Sequence, residues 1–265
     1  MRNKPLRDSL LRGIGAVGLH SVKRIERQRL QALVQSLHPV NTGNDLVRIG
    51  PNGDGGYLVP DDLEEIKFGY SPGVSTESGF EAELASRGMR VYLADHSVDA
   101  PATTSQQFHF DKKFVGSLND DIYMTMDAWK RQSIGDYSGD LLLQMDIEGA
   151  EFETLFNMSD ALIRQFRIMV IEFHYLHQLW NKPWFILVNR VFEKLLATHS
   201  VAHIHPNNCC GSFKSAGLEL PRVAEFTFYR NDRISNPTPC TNFPHPLDYD
   251  NTRKKTLVLP ECWYG

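Results

Sequence analysis

Two acid-bearing stretches carry most of the chemistry this sequence can offer. In 140-DLLLQMDIEGAEFETL-155 an apolar run ends in Asp146, and Glu148, Gly149 and Glu151 follow at once. In 168-IMVIEFHYLHQLW-180 a second apolar run leads to Glu172 and His174. Ligands of open α/β sheets bind at the carboxyl ends of strands, so both stretches point at one rim. Residues two apart on a strand share a face, which sets Glu172 beside His174. A histidine there suits general-base work near neutral pH. Acids in a first helical turn also serve the helix dipole; that explains Glu151 but not Asp146.

A glycine-bearing loop precedes them. The stretch 66-IKFGYSPGVSTESGFEAELASRG-88 runs from a strand through Gly69 and Gly73 to a helix opening near Thr76 or Glu77. Glycines after a first strand let the backbone approach a ligand closely. The next strand, 90-RVYLADHS-97, ends in Asp95, 26 residues beyond Gly69 and one βαβ unit away. An acid at that place can accept both ribose hydroxyls of a nucleoside. The letters 13-GIGAVG-18 match a dinucleotide fingerprint, but no strand precedes them and no acid follows at the required distance, so the match is read as chance. His203, His205, Cys209 and Cys210 lack the spacing of a zinc finger or ribbon, so 203-HIHPNNCCG-211 reads as a strand end and a turn.

These residues need elements to hold them. Strand-like runs occur at 46–49, 66–70, 90–94, 141–145, 168–173, 201–205 and 224–229, with helix candidates at 77–87, 149–165 and 182–199. Alternation of this kind, with nearly continuous apolar strands, predicts an α/β fold: a mostly parallel sheet with helices on both faces. No clear helix separates the last two runs, so the final strand is expected to be antiparallel. Val22, Ile25, Leu30, Leu33, Val34 and Leu37 predict an amphipathic helix over 20–37. The organisation expected is a basic helical arm (1–40), one domain (41–235) and an irregular tail (236–265) lying on it.

Composition narrows the class. With 265 residues, 42% hydrophobic and 23% charged, the chain fits one large globular domain and not a disordered or fibrous one. No apolar run approaches the roughly 20 residues a membrane span needs. Residues 1–37 carry eight Lys or Arg against two Asp or Glu; the remainder carries 20 against 30. An acidic body argues against broad nucleic-acid binding. The basic arm suits either a peripheral contact with an anionic membrane or packing on its own domain, and the second reading is favoured. Nothing reads as a secretory signal, and Cys209, Cys210, Cys240 and Cys262 lack framework spacing. A cytoplasmic protein with free thiols is expected.

The chain resembles the FkbM family of S-adenosylmethionine-dependent methyltransferases. The matching stretches are 53-GDGGYLVPDDL-63, 68-FGYSPGVSTESGFEAELASRGMRVYLAD-95, 142-LLQMDIEGAEFETL-155, 170-VIEFHYL-176 and 204-IHPNNCCGSFKSAGLELPRVAEFTFYR-230. The most specific part is 146-DIEGAE-151 followed by 171-IEFH-174, and the 54-DGGY-57 and 207-NN-208 stretches are similar to a branch acting on sugars. The resemblance implies a Rossmann-like class I methyltransferase fold with a seven-stranded sheet. It implies that Gly69, Ser71 and Gly73 form the cofactor loop, with Asp95 on the ribose and Asp127 on the cofactor side. The usual acid before the first glycine is missing in 68-FGYSPG-73, so Asp54 and Gly55 are assigned a substitute contact. Glu148, His177, Asn207 and Asn208 are assigned to a sugar-containing acceptor.

Two arrangements for methyl transfer to oxygen stay open. In one, His174 or Asp146 is the general base. In the other, Asp146, Glu172 and His174 hold a divalent cation, magnesium or manganese, that acidifies sugar hydroxyls. Two rivals stand beside the methyltransferase reading: a non-catalytic binding module on the same fold, and a nucleotide-dependent oxidoreductase. The second needs a phosphate-cradling helix N-terminus, where this chain places Glu77 and Glu81.

Overall fold

Six of the apolar runs become strands of one central sheet, whereas the run at 46–49 pairs with Tyr57–Pro60 in a separate two-stranded sheet. In this computed structural model, which describes residues 22–74 and 77–265, the strands are β1 (Phe68–Pro72), β2 (Arg90–Ala94), β3 (Phe108–Asp111), β4 (Leu141–Met145), β5 (Phe166–Phe173), β6 (His199–Pro206) and β7 (Ala224–Arg230). They lie in the order β6-β7-β5-β4-β1-β2-β3. All neighbours from β3 to β5 run parallel, whereas β7 is antiparallel to both β5 and β6. This is the Rossmann-like class I methyltransferase arrangement that the resemblance implies. Every residue of β4 and β5 is buried, as central strands covered on both faces must be.

The order reverses between β1 and β4. The chain leaves β1, builds β2 and β3 outward, then returns to the other side of β1. The crevice at the carboxyl ends of β1 and β4 is therefore the switch point where such sheets bind ligands.

Six helices are described: α1 (Arg27–Ser36), α2 (Gly79–Ser86), α3 (Met126–Ile134), α4 (Glu151–Asn157), α5 (Asp160–Gln165) and α6 (Lys182–Leu196). In α6, Phe185, Val188, Val191, Phe192 and Leu195 make one buried stripe, and Asn181 caps its start by accepting from Trp184 N. Leu30, Leu33 and Val34 of α1 join the same core cluster as Trp263 near the chain end.

Several expected elements differ. The helix expected over 149–165 is two, because Met158 is extended at ψ 142° and Ser159 starts a new cap by accepting from Leu162 N. The helix expected over 20–37 is described only as Arg27–Ser36, and Val22 is exposed. The 13–18 glycine motif lies outside the described residues. The first strand sits two residues later than 66–70. Strand β3 and helix α3 were not expected at all; β3 is a half-buried edge strand, so its apolar pattern is weak. Among the described residues, no helix is long and apolar enough to cross a membrane.

The segment 236–265 packs on the domain through polar ties. His203 Nε2 lies 2.8 Å from Asp248 Oδ1, and Asp248 Oδ2 accepts from His245 N. Asn208 donates to the carbonyls of Thr252 and Lys254, and its Oδ1 accepts from Thr252 N and Oγ1. Asn251 Nδ2 reaches Glu225 at 2.7 Å and Asp54 at 3.1 Å.

Candidate active site

At the switch point lies a cavity of about 430 Å³, lined by Gly73, Val74, Ala94, Asp95, Phe114, Tyr123, Asp146, Ile147 and Glu148 among others. Three strand ends build it. Gly73 follows β1 at φ +92°, and a Cβ there would fall 1.5 Å from the carbonyl oxygen of Asp146. Only glycine permits that approach. Asp95 follows β2; its Oδ1 accepts from Ser97 N at 2.7 Å and Ser97 Oγ at 2.6 Å. Asp146 follows β4, whose apolar strand carries it into the interior.

The turn after β4 is tightly wound. Glu148 at φ +55° and Gly149 at φ +109° reverse the chain into α4, and a Cβ on Gly149 would meet the Tyr175 ring at 2.4 Å. The wholly buried Glu151 stabilises this turn, because its Oε1 accepts from Ile147 N and Gly149 N. The same oxygen lies 3.0 Å from His174 Nδ1. His174 Nε2 then faces Glu148 Oε2 at 3.5 Å and Glu172 Oε1 at 3.7 Å.

These acids feel their burial. Burial raises the Asp146 carboxyl to about 7, with the Glu148 and Glu151 charges adding to the effect and His174 opposing it. Its Oδ1 is buried and has no hydrogen-bond partner. Glu172 lies well above the ordinary carboxylate range, chiefly through burial and then through the neighbouring Asp146 and Glu225. Burial would lower His174, but the hydrogen bond to Glu151 and the charges of Glu151, Asp146 and Glu148 together outweigh it, and the net direction is upward.

Of the residues expected to bind the cofactor, the structure brings only Gly73 and Asp95 to the cavity wall, with Asp146 and Glu148 at its end. The others take different parts. Gly69 lies inside β1, packed against Met89 and Leu84. Ser71 is buried, its hydroxyl oxygen 2.5 Å from Glu81 Oε1 and 2.7 Å from Gln144 Oε1. Asp127 accepts from Ser159 N and Ser159 Oγ, tying α3 to α5. Asp54 meets the tail through Asn251, and Gly55 packs against Glu77 at φ +74°. None of these five lines the cavity.

The acceptor assignments divide in the same way. Glu148 lines the cavity. Asn208 is consumed by the tail. Asn207 is buried and donates to Glu172 at 3.2 Å. His177 sits on the short helix Leu176–Trp180, with a buried Nδ1 that has no partner. Glu172 itself does not line the cavity. The metal-capable group among the described residues is Asp146, Glu148 and His174, so Glu148 replaces Glu172 in the expected set. The signal for Glu148 was its place before the glycine, outside the helix proper. Tyr175, one of the aromatic residues suited to line a sugar site, is 49% exposed, with its ring beside His174 and over the Glu148–Gly149 turn.

The start of α2 excludes a phosphate. Glu77 Oε1 accepts from Ser78 N and Gly79 N, so a carboxylate already occupies the helix amides.

The family profile described as Methyltransferase FkbM domain matches residues 124–203, the segment that contains Asp146, Glu148, Glu172 and His174. Over this segment the chain is similar to the FkbM methyltransferases. The matched segment holds α3 to α6, strands β4 and β5, and the first part of β6. Similar solved structures include the N-methyltransferase NodS from Bradyrhizobium japonicum WM9, at 9% identity and a TM-score of 0.32, covering 77% of this chain and 95% of that one. A putative methyltransferase from an antibiotic biosynthesis pathway of Anabaena variabilis ATCC 29413 has 12% identity and a TM-score of 0.29, covering 70% and 67%. A point mutant of the 16S rRNA (adenine(1408)-N(1))-methyltransferase from Catenulisporales acidiphilia has 9% identity and a TM-score of 0.31, covering 69% and 98%. At these scores they add nothing to what the FkbM match and the strand order give. No curated protein matches the chain.

Proposed function

We propose that this protein transfers the methyl group of S-adenosylmethionine to a hydroxyl oxygen of a sugar-containing acceptor. One observation carries the reading. The switch-point cavity is lined by three acids, Asp95, Asp146 and Glu148, and by no Lys or Arg among the described residues. Such a wall suits a nucleoside that carries a cation and no phosphate, and it disfavours a dinucleotide.

The lining fits the cofactor's parts. Val74, Val98, Phe114 and Tyr123 offer apolar surface to an adenine ring. Asp95 stands where ribose hydroxyls would lie. Asp146 and Glu148 offer negative charge at the sulfonium end. When bound, S-adenosylmethionine supplies a methyl group activated by its positive sulfur.

The chain's own residues do the rest. They hold the acceptor oxygen in line with the methyl carbon and remove the hydroxyl proton. The O–CH3 bond forms as the S–CH3 bond breaks, and that electron pair returns to sulfur. The proton passes to Asp146, whose carboxyl is poised near neutrality and whose buried Oδ1 is free to receive it. The exposed Tyr175 ring beside this mouth gives a sugar a face to lie on.

Calorimetric titration with S-adenosylhomocysteine tests the cofactor half. Micromolar-range binding with none to NAD is expected; no binding, or binding of NAD alone, would reject the reading. A screen of sugar acceptors follows, with Asp146→Asn expected to lose turnover while still binding S-adenosylhomocysteine.

A further inference from the structure

We propose that the cavity between the tail and the end of β6 is a carbohydrate subsite, holding one neutral sugar unit of an acceptor built of linked sugars. The cavity has a volume of about 270 Å³ and lies between strand residues 204–206 and tail residues 243–259. Strands β5 and β6 are both antiparallel to β7, so their carboxyl ends share one rim. The cavity therefore opens on the same rim as Asp146 and Glu172.

One buried atom points to a ligand. His205 is 9% exposed and lines the cavity, and its Nδ1 is buried with no hydrogen-bond partner. The neighbouring Asp248 Oδ1 stands 3.5 Å away and is already 2.8 Å from His203 Nε2. Asn251 fixes which ring nitrogen is left over. Its Nδ2 donates to Glu225 at 2.7 Å and to Asp54 at 3.1 Å, so the Oδ1 that meets His205 Nε2 at 3.2 Å is an acceptor. Nε2 then carries a proton whether the ring is neutral or charged. Nδ1 is a lone pair in the neutral ring and an N–H in the charged one. A hydroxyl answers both, donating to the first and accepting from the second, and so removes the cost of an unpaired buried group.

The rest of the lining selects a neutral, hydroxyl-rich ring. Ile204, Phe243, Leu257 and Leu259 supply an apolar side for the C–H face of a sugar. Tyr249 adds a ring that is 42% exposed. Asp250 Oδ2 accepts from Thr256 Oγ1, and both residues line the cavity. Asp248 and Asp250 stand in this wall with no Lys or Arg among the described residues, which disfavours a phosphate, sulfate or carboxylate.

Strand register joins the subsite to the active site. Glu172 pairs with Glu225, and Glu225 with His205. Met145 pairs with Ile171, which sets Asp146 beside Glu172. Asp146, Glu172, Glu225 and His205 thus form one row across β4, β5, β7 and β6. Strand spacings of about 4.8 Å put His205 roughly 14 Å from Asp146. No single sugar ring spans that distance, so an acceptor that reaches both is an oligosaccharide or a stretch of polysaccharide. This role deepens the methyl-transfer reading and rests on it; binding of a sugar in the cavity does not.

The test reads His205 itself. The full chain, carrying isotope-labelled histidine, is titrated with glucose, galactose, mannose and N-acetylglucosamine and with their linear trisaccharides. The imidazole nitrogen resonances are followed by nuclear magnetic resonance, with S-adenosylhomocysteine calorimetry on the same samples. At least one sugar is expected to move the His205 Nδ1 resonance at millimolar concentration, and its trisaccharide to bind more tightly. Tyr249→Ala should weaken that binding by about fivefold. It changes an exposed side chain, and an unshifted melting curve checks that the fold is kept. A His205 resonance that no sugar moves, or equal affinity in Tyr249→Ala, would overturn the subsite. A trisaccharide that binds no more tightly than its monosaccharide would overturn the link to the acceptor. If S-adenosylhomocysteine binds and no sugar moves His205, the subsite fails and the methyltransferase reading stands; the converse rejects that reading and keeps the subsite.

Discussion

Gly73 and Asp146 touch through their backbones: a methyl group on Gly73 would fall 1.5 Å from the Asp146 carbonyl oxygen. The loop after the first strand and the acid after the fourth are therefore one structural unit. Gly73→Ala forces the two apart and adds strain at φ +92°. We expect S-adenosylhomocysteine affinity to fall by at least about tenfold, with destabilisation of roughly 1–3 kcal/mol. Calorimetry and thermal melting check this; wild-type affinity in that variant would mean the cavity takes a different ligand.

Asp95 makes a separate prediction. Ser97 orients Oδ1, which presents the carboxylate toward the cavity. A charged hydrogen-bonding group is worth about 1.5–3 kcal/mol to a ligand, so Asp95→Ala should weaken S-adenosylhomocysteine by roughly 10- to 100-fold. Because Asp95 is partly exposed, melting of the free protein should barely move.

Asp127 should behave in the opposite way. The resemblance placed it on the cofactor side, but its carboxylate joins α3 to the cap of α5 through Ser159. Asp127→Ala is expected to cost about 1 kcal/mol of stability, a melting shift of roughly 2 °C for a chain of this size. Cofactor affinity should stay within twofold; a larger loss would return Asp127 to the site.

These residues mark what the sequence disclosed and what it did not. Asp95 and Asp146 were legible because each directly follows an apolar strand, and strand ends of a parallel sheet share one rim. Ser71, Asp127 and Asn208 were not. Their roles depend on Gln144, Ser159 and Thr252, partners far along the chain that local pattern cannot supply. Glu148 looked like an ordinary first-turn acid, yet α4 begins only at Glu151 and Glu148 stands before it at positive φ. Strand β3 escaped because a half-buried edge needs no continuous apolar run.

The tail anchor predicts a pH window. Asp248 lies well below the ordinary carboxylate range: burial would raise it, but His203 and His205 together pull it down. His205 is raised: burial would lower it, but Asp248 and Glu225 prevail. His245 and Asn251 face the same cluster, and Arg48 faces Glu225. The Asp248 contribution is complete above the unfolded value of about 3.9 and is lost as pH falls through its lower folded value. The His205 contribution is complete below about 6.5 and is lost as pH rises through its higher folded value. Hydrogen exchange over residues 241–256 should therefore be slowest, after correction for intrinsic rates, between about pH 4 and 6.5, and should quicken on both sides. Asp248→Asn should flatten the alkaline arm. Equal protection in the wild type from pH 5 to 9 would show that the His205–Asp248 pair does not hold the tail.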